Sequence, residues 1–134
     1  MKSDLLTTEQ LRLQVEKLHI QHIKLCQDNF LYFVQDIWPD FICRKEKEKS
    51  KWGHHQIIAD EFTSVSKDKK GRLIINMPPR HTKSEFASVY FPAWIIGKNP
   101  KMKIMQVSHN TELAVRFGSK VRNIIDSSEY KQIF

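Results

Sequence analysis

The stretch at residues 77–84, Met-Pro-Pro-Arg-His-Thr-Lys-Ser, constrains the fold of this 134-residue chain more than any other feature. It follows a short apolar run at residues 73–75 and precedes a segment that can form a helix. A strand, a tight turn ending in Lys83 and Ser84, and then a helix is the layout of a phosphate-binding loop. In such a loop, backbone N–H groups and a lysine surround the phosphates while the hydroxyl ligates Mg²⁺. The usual pattern has glycine where this chain has Met77 and Thr82, so the match to the general pattern is incomplete.

Composition excludes several other classes of protein. The chain is 40% apolar and 28% charged, which is typical of a globular domain with its own core and not of a disordered segment. No apolar stretch approaches the roughly 18 residues needed to span a bilayer. The first residues lack the apolar core of a secretory signal, so we expect no membrane association. Cys26 and Cys43 stand far apart in the sequence, which predicts reduced thiols in a cytosolic compartment.

The formal charge of +7 includes two basic clusters, at residues 44–51 and 67–72. Charge runs are most often solvated loops. They can also form a surface that meets a polyanion, because lysine and arginine displace counterions from phosphates. Charge alone does not choose between these interpretations.

The hydrophobic pattern alternates between helical segments and short apolar runs. Helices are predicted at residues 8–27, 30–38, 56–65, 84–90 and from about 110 to 126. Thr7 and Gln10 form a capping box before the first helix, and Pro92 predicts a kink or early stop after the fourth. Residues 72–76 and 103–107 are predicted strands, residues 44–51 a loop and residues 130–134 a tail. The alternation is typical of a parallel α/β sheet, and two strands alone would leave its edges open and its core uncovered.

The region around the loop resembles the Walker A segment of tailed-phage terminase large subunits, the ATPases that pump DNA into procapsids. The likeness begins with residues 73–85, Leu-Ile-Ile-Asn-Met-Pro-Pro-Arg-His-Thr-Lys-Ser-Glu. It continues through Phe91-Pro92-Ala93-Trp94, Gly97-Lys98-Asn99-Pro100, Ser108, Leu113-Ala114, Val121-Arg122, Ser127-Ser128-Glu129-Tyr130 and Phe134. Upstream, the aromatic segment at residues 30–41 and His54-His55-Gln56 are also similar, so the resemblance covers about residues 28–134.

The resemblance implies an α/β fold: an incomplete P-loop NTPase with a parallel sheet in three layers and an N-terminal helical lead-in. Residues 1–50 would form the helical region and residues 51–134 the first half of the ATPase domain. ATP and Mg²⁺ are the implied cofactors. The implied partners are double-stranded DNA, the portal protein, the small terminase subunit and sister subunits in a homo-oligomeric ring. The implied location is the host cytoplasm and, transiently, the portal vertex of the procapsid.

The resemblance also assigns roles to single residues. Lys83 would hold the β and γ phosphates, and Ser84 would ligate Mg²⁺. Arg80 would stabilise charge on the transferring phosphoryl group, a task that suits the guanidinium, so Arg80 and Lys83 are the catalytic candidates. Gln56 would hydrogen-bond the adenine edge, because an amide can donate and accept at once. The remaining members of the nucleotide-binding set are Pro79, His81, Thr82 and Glu85.

Two departures from the family pattern limit the expected activity. Thr82 replaces the glycine that usually precedes the lysine, and its Cβ narrows the backbone angles available for cradling phosphate. The Walker B aspartate, the catalytic glutamate, the coupling motif and the nuclease domain have no counterpart in the printed sequence. The acidic residues after the second predicted strand, Glu112, Asp126 and Glu129, do not stand at a strand end. We therefore expect weak nucleotide binding and no hydrolysis by this chain alone, with ATPase activity in the full-length protein.

Alternatives from other classes remain open at this point. One is a helicase-like ATPase that acts on nucleic acid outside packaging. Another is a non-catalytic, basic DNA-binding module derived from the motor. A zinc site built from His54 and His55 with Cys26 or Cys43 fits no usual metal-binding spacing. His81 could touch phosphate or simply fill a solvent-facing position.

Overall fold

The computed structural model describes residues 7–41, 53–67 and 71–134, and all regular secondary structure within them is helical. The elements are α1 (Thr8–Asp28), α2 (Phe30–Ile37), α3 (His54–Ser66), α4 (Lys83–Glu85), a π-helical turn (Phe86–Tyr90), α5 (Phe91–Lys98), α6 (Thr111–Asp126) and α7 (Ser128–Ile133). The basic loop predicted at residues 44–51 lies outside the described residues, as do Cys43 and residues 68–70 of the second basic cluster.

The predicted α/β fold is wrong for the described part of the chain, which is all-α. Both predicted strands, residues 72–76 and 103–107, are irregular segments that form no sheet. The strand-like alternation is nevertheless present, because Leu73, Ile75 and Met77 pack against the core while Ile74 is 86% exposed. A strand also needs a backbone partner for its N–H and C=O groups, and no pairing joins these segments to other described residues. The parallel three-layer sheet of a P-loop NTPase is therefore not formed.

The first two helices meet at a corner made by Asn29. Thr7 and Gln10 form the predicted capping box at the start of α1: Thr7 Oγ1 accepts from the backbone N–H of Gln10, and Gln10 Oε1 accepts from that of Thr7. Asn29 ends α1 and caps α2, since its Oδ1 accepts from the N–H of Leu31 at 2.9 Å. Within α1 only Cys26 is buried, so most of this helix lies on the surface.

Phe30 of α2 is the centre of the hydrophobic core. Its ring is fully buried and meets the rings of Phe62, Phe86 and Phe91 edge-on, with centroids 5.3 to 5.8 Å apart. Trp94 adds a tilted contact at 5.5 Å. Because these rings belong to α3, the π-helical turn and α5, one side chain joins four elements.

The C-terminal residues form a packed helix, so the tail predicted at residues 130–134 is wrong. Tyr130 and Ile133 of α7 are buried. The Tyr130 hydroxyl donates to the carbonyl of Ala93 at 2.8 Å inside the core. Gln27 donates to the carbonyl of Ile133, which ties α7 to the end of α1.

Pro92 changes the form of the helix that follows the loop without ending it. The chain is helical from α4 through α5, and residues Phe86–Tyr90 are wound as a π-helix. Proline has no N–H to offer the carbonyl of Ser88, four residues earlier. Gln106 Nε2 donates to that carbonyl instead, at 2.6 Å. The proline thus creates the acceptor that fastens the irregular segment containing Gln106 against the helix.

Candidate functional site

Residues 77–84 curl around the ammonium group of Lys83. Lys83 Nζ donates to the carbonyls of Met77 and Pro78, at 3.1 and 3.2 Å, so the side chain folds back over the turn that precedes it. Arg80 and Thr82 have positive φ angles of 65° and 59°, the left-handed conformation that non-glycine residues rarely adopt. Alternation of right- and left-handed residues turns successive N–H groups toward one side, which is the backbone arrangement that binds anions.

Helix α3 holds the loop in this shape. Thr82 Oγ1 donates to the carbonyl of His81 at 2.7 Å and lies 3.0 Å from His55 Nε2. A carbonyl oxygen can only accept, so the Thr82 hydroxyl is the donor in its hydrogen bond with the His81 backbone carbonyl. In the other hydrogen bond, His55 Nε2 therefore donates to Thr82 Oγ1. His81 bonds in turn through Nδ1 to the carbonyl of Pro79 at 2.8 Å. These contacts fix the backbone at the two strained positions.

Three imidazoles, those of His54, His55 and His81, surround the turn. The rings of His54 and His55 lie 3.9 Å apart, and those of His54 and His81 lie 5.6 Å apart. Burial, with smaller contributions from the neighbouring His54 and His81, lowers the pKa of His55 to about 4. His55 is therefore neutral at pH 7, and it donates to Thr82 as the Nε2–H tautomer. Positive charge at the turn then comes from Lys83 and Arg80.

Ser84 and Glu85 open the helix that follows the loop. Ser84 is exposed beside Lys83, so its hydroxyl is accessible to a hydrated cation. Glu85, which the sequence places in the nucleotide-binding set, accepts from Lys120 Nζ of α6. The Glu85 carboxylate therefore fastens α6 to the loop helix. The same carboxylate adds to burial in raising the pKa of Tyr90 to about 12.

Gln56 lies in the first turn of α3, two residues after His54. Its Nε2 donates to Asp60 Oδ1 at 2.9 Å, within the same helix. A groove of about 290 Å³ lies between α3 and the irregular segment that leads into the loop. The groove is lined by His54, Ile57, Ile58, Glu61, Leu73, Ile74, Ile75, Asn76 and Met77. Gln56, predicted to read the adenine edge, is not among the lining residues.

The structure gathers most of the predicted site residues in one turn. Pro79, Arg80, His81, Thr82 and Lys83 share the curl.

The sequence did not predict that three side chains shape or flank this turn, namely those of His54, His55 and Lys120. The only signal for the first two was the adjacent histidine pair, and 27 residues separate His55 from Thr82. The zinc alternative proposed for that pair receives no support, because His55 is bonded to Thr82 instead.

Comparison of the chain with protein-family models, with curated proteins and with solved structures gave no match. Among the residues that the structure describes, no helix has the length and apolar character needed to cross a membrane.

Proposed function

We propose that residues 77–84 bind the phosphates of ATP, and that the chain is part of a terminase-like motor that uses ATP to package double-stranded viral DNA. One observation carries the proposal: Lys83 Nζ is held inside the curl of its own loop by the carbonyls of Met77 and Pro78. A lysine in that place can exchange two neutral acceptors for phosphate oxygens, and a charged acceptor forms the stronger hydrogen bond. The left-handed residues Arg80 and Thr82 supply the backbone shape that such a loop needs.

Each loop residue would have a distinct task. Lys83 would contact the β and γ phosphates, and Arg80, exposed at the tip of the turn, would stabilise charge on the transferring phosphoryl group. Ser84 suits Mg²⁺, because this ion usually takes one or two protein oxygens and completes its shell with water and phosphate. When bound there, Mg²⁺ would neutralise the phosphate oxygens. Pro79, His81 and Thr82 would shape the cradle.

The base of the nucleotide has two possible recognition elements. The groove of about 290 Å³ beside α3 adjoins the loop through Met77. Its volume is near the lower end of small-molecule sites, about 300–1,000 Å³. Adenine recognition by Gln56 remains a prediction, and it would require the Gln56 amide to leave Asp60. A Gln56→Ala variant that loses its preference for ATP over GTP would support that role.

The wider role follows from the resemblance and from charge. The basic chain would contact the DNA backbone without reading its sequence, and its partners would be the portal protein, the small terminase subunit and sister subunits in a ring. It would act in the host cytoplasm and, transiently, at the portal vertex. Glu85 is engaged by Lys120, so it does not supply the carboxylate that polarises attacking water. We therefore expect this chain alone to bind nucleotide weakly without turnover.

The test is equilibrium binding of MgATP to the full chain and to two lysine variants. Lys83→Met keeps the aliphatic stem and removes the ammonium, and we expect it to weaken binding at least tenfold. Lys101→Met removes an exposed lysine elsewhere and should leave affinity unchanged. Inorganic triphosphate should compete with ATP, because the loop recognises phosphate. Equal affinity in the two variants would contradict the proposal.

Parallel DNA-binding measurements distinguish the alternatives. Binding of DNA that depends steeply on salt but ignores ATP would favour the non-catalytic DNA-binding module. Strand separation without any procapsid would favour the helicase-like ATPase.

A further inference from the structure

Three metal-ligating side chains converge where α1 turns into α2. His22 and Cys26 stand four residues apart on one face of α1, and Asp36 reaches them from the last turn of α2. His22 Nε2 lies 2.7 Å from Asp36 Oδ1 and 3.6 Å from Cys26 Sγ. All three ligand atoms lie within 4.8 Å of one another.

We propose that His22, Cys26 and Asp36 bind a zinc-class divalent metal ion, with water completing a tetrahedral shell. One imidazole nitrogen, one thiolate and one carboxylate oxygen are a donor set that suits zinc. This site is independent of the proposed nucleotide loop, because it shares no residue with it.

The two distances measured from His22 Nε2 fit such an ion with small adjustments. With Zn–S and Zn–N bonds of about 2.3 and 2.0 Å, tetrahedral geometry places sulfur and nitrogen about 3.5 Å apart. The Cys26–His22 separation of 3.6 Å already meets this requirement. The same geometry places nitrogen and oxygen about 3.3 Å apart, so Asp36 Oδ1 would move outward by about half an ångström. Asp36 has room to do so, because its side chain is 31% exposed.

One side of the site is buried in the core and the other side is open to solvent. Cys26 is fully buried, whereas the His22 side chain is 49% exposed. A metal ion could therefore enter from the solvent side, and the open fourth position would hold water.

The Cys26 thiol would lose its proton when the metal binds. Burial, with a smaller contribution from Asp36, raises the pKa of Cys26 to about 11, so the metal-free thiol is protonated at pH 7. A zinc-class ion binds the thiolate, and binding therefore releases the Cys26 proton to solvent. In the metal-free protein the His22–Asp36 hydrogen bond occupies the same place.

A bound metal ion would tie α1 more firmly to the rest of the protein. Cys26 is the only buried residue of this 21-residue helix. A metal shared with Asp36 would cross-link the end of α1 to α2 and hold the angle that Asn29 sets between them.

Cobalt(II) spectroscopy on the full chain tests the proposal, because Co²⁺ reports both thiolate ligation and coordination number. We expect one equivalent of Co²⁺ to give a thiolate-to-cobalt charge-transfer band and the intense visible bands of four-coordination, and Zn²⁺ to abolish both. Cys26→Ser should remove the charge-transfer band, and His22→Gln should weaken binding at least tenfold. His19→Gln, on an exposed position of the same helix, and Cys43→Ser should leave the spectrum unchanged.

Three results would overturn the assignment: no charge-transfer band in the wild type, a band that persists in Cys26→Ser, or a band that is lost in Cys43→Ser. If Cys26→Ser fails to fold, Asp36→Asn provides the decisive variant, because Asp36 is partly exposed and its replacement leaves the core intact. Unchanged cobalt affinity in a folded Asp36→Asn chain would equally contradict the proposal.

Discussion

At the scale of single residues, backbone strain is concentrated in the turn around Lys83. Arg80 and Thr82 are the described non-glycine residues with positive φ. The left-handed conformation costs an L-residue about 1–2 kcal/mol. Thr82 is held there by its hydrogen bonds to His55 and His81. Strain that the surroundings enforce is characteristic of binding loops, and here it occurs at the two positions that would shape the proposed phosphate cradle.

Two replacements of Arg80 distinguish the effect of its strained backbone from the effect of its positive charge. Arg80→Gly removes both the strained Cβ and the guanidinium, and we expect it to raise the free energy of unfolding by up to about 1 kcal/mol. Arg80→Ala removes the guanidinium but keeps the Cβ, so it should not stabilise the chain. Both variants should bind triphosphate more weakly than the wild type. Urea denaturation of the two variants measures the difference in their free energies of unfolding. Equal stability would contradict the claim that the left-handed backbone at position 80 is strained.

His55 makes stability depend on pH. Its pKa is about 4 in the folded chain against an ordinary value of 6.5, because burial and the neighbouring imidazoles disfavour its charge. Between these values the unfolded chain binds the proton and the folded chain does not, so stability falls as the pH is lowered from 6.5 to 4. The loss amounts to about 3 kcal/mol in that window and is absent above pH 6.5.

Variants at two histidines isolate this effect. His55→Gln should flatten the pH dependence of the free energy of unfolding between pH 4 and 6.5. His19→Gln, on the exposed face of α1, should retain it. A slope that is the same in His55→Gln and in the wild type would contradict the role of His55.

At the scale of elements, local signals predicted the helices and failed where distant packing decides. The capping box of Thr7 and Gln10 lies within four residues, and it is confirmed. The short helix α7 was missed because Tyr130 and Ile133 give only a single turn of apolar spacing. Its stability comes from contacts with Ala93 and Gln27, which no local pattern reveals.

One buried hydroxyl, that of Tyr130, contributes to the docking of α7. Tyr130→Phe removes the donor to the carbonyl of Ala93, and we expect a loss of about 1–2 kcal/mol of unfolding free energy. Tyr32→Phe, at an exposed position of α2, should change stability by less than about 0.5 kcal/mol. Thermal or urea denaturation compares the two variants. Similar stability in both would show that α7 is not anchored through Tyr130.

At the scale of the whole molecule, a helical core centred on Phe30 carries a strained, positively charged turn on its surface. The sequence predicted the position of that turn from residues 77–84, because a lysine and serine before a helix form a local pattern. It also predicted strands where the chain has irregular segments. Alternating exposure is a property of one segment, but a sheet requires a partner backbone, and Ile74, Met105 and Val107 accordingly remain more than 80% exposed.

The surroundings of the loop were predictable only in part. Lys83 follows from the loop pattern, whereas Arg80 is assigned by the resemblance and Thr82 departs from the pattern. The neutral state of His55 depends on burial and on two neighbouring imidazoles, one of which belongs to the loop itself, so it could be known only from the folded structure.

The most direct test of the central claim is a map of backbone amide chemical shifts as MgATP is added to the full chain. If the loop binds phosphate, the largest shifts should fall on residues 79–84, and inorganic triphosphate should reproduce them. Lys83→Met should suppress them at the same nucleotide concentration. No shift in residues 79–84, or shifts confined to another surface, would contradict the proposed nucleotide site.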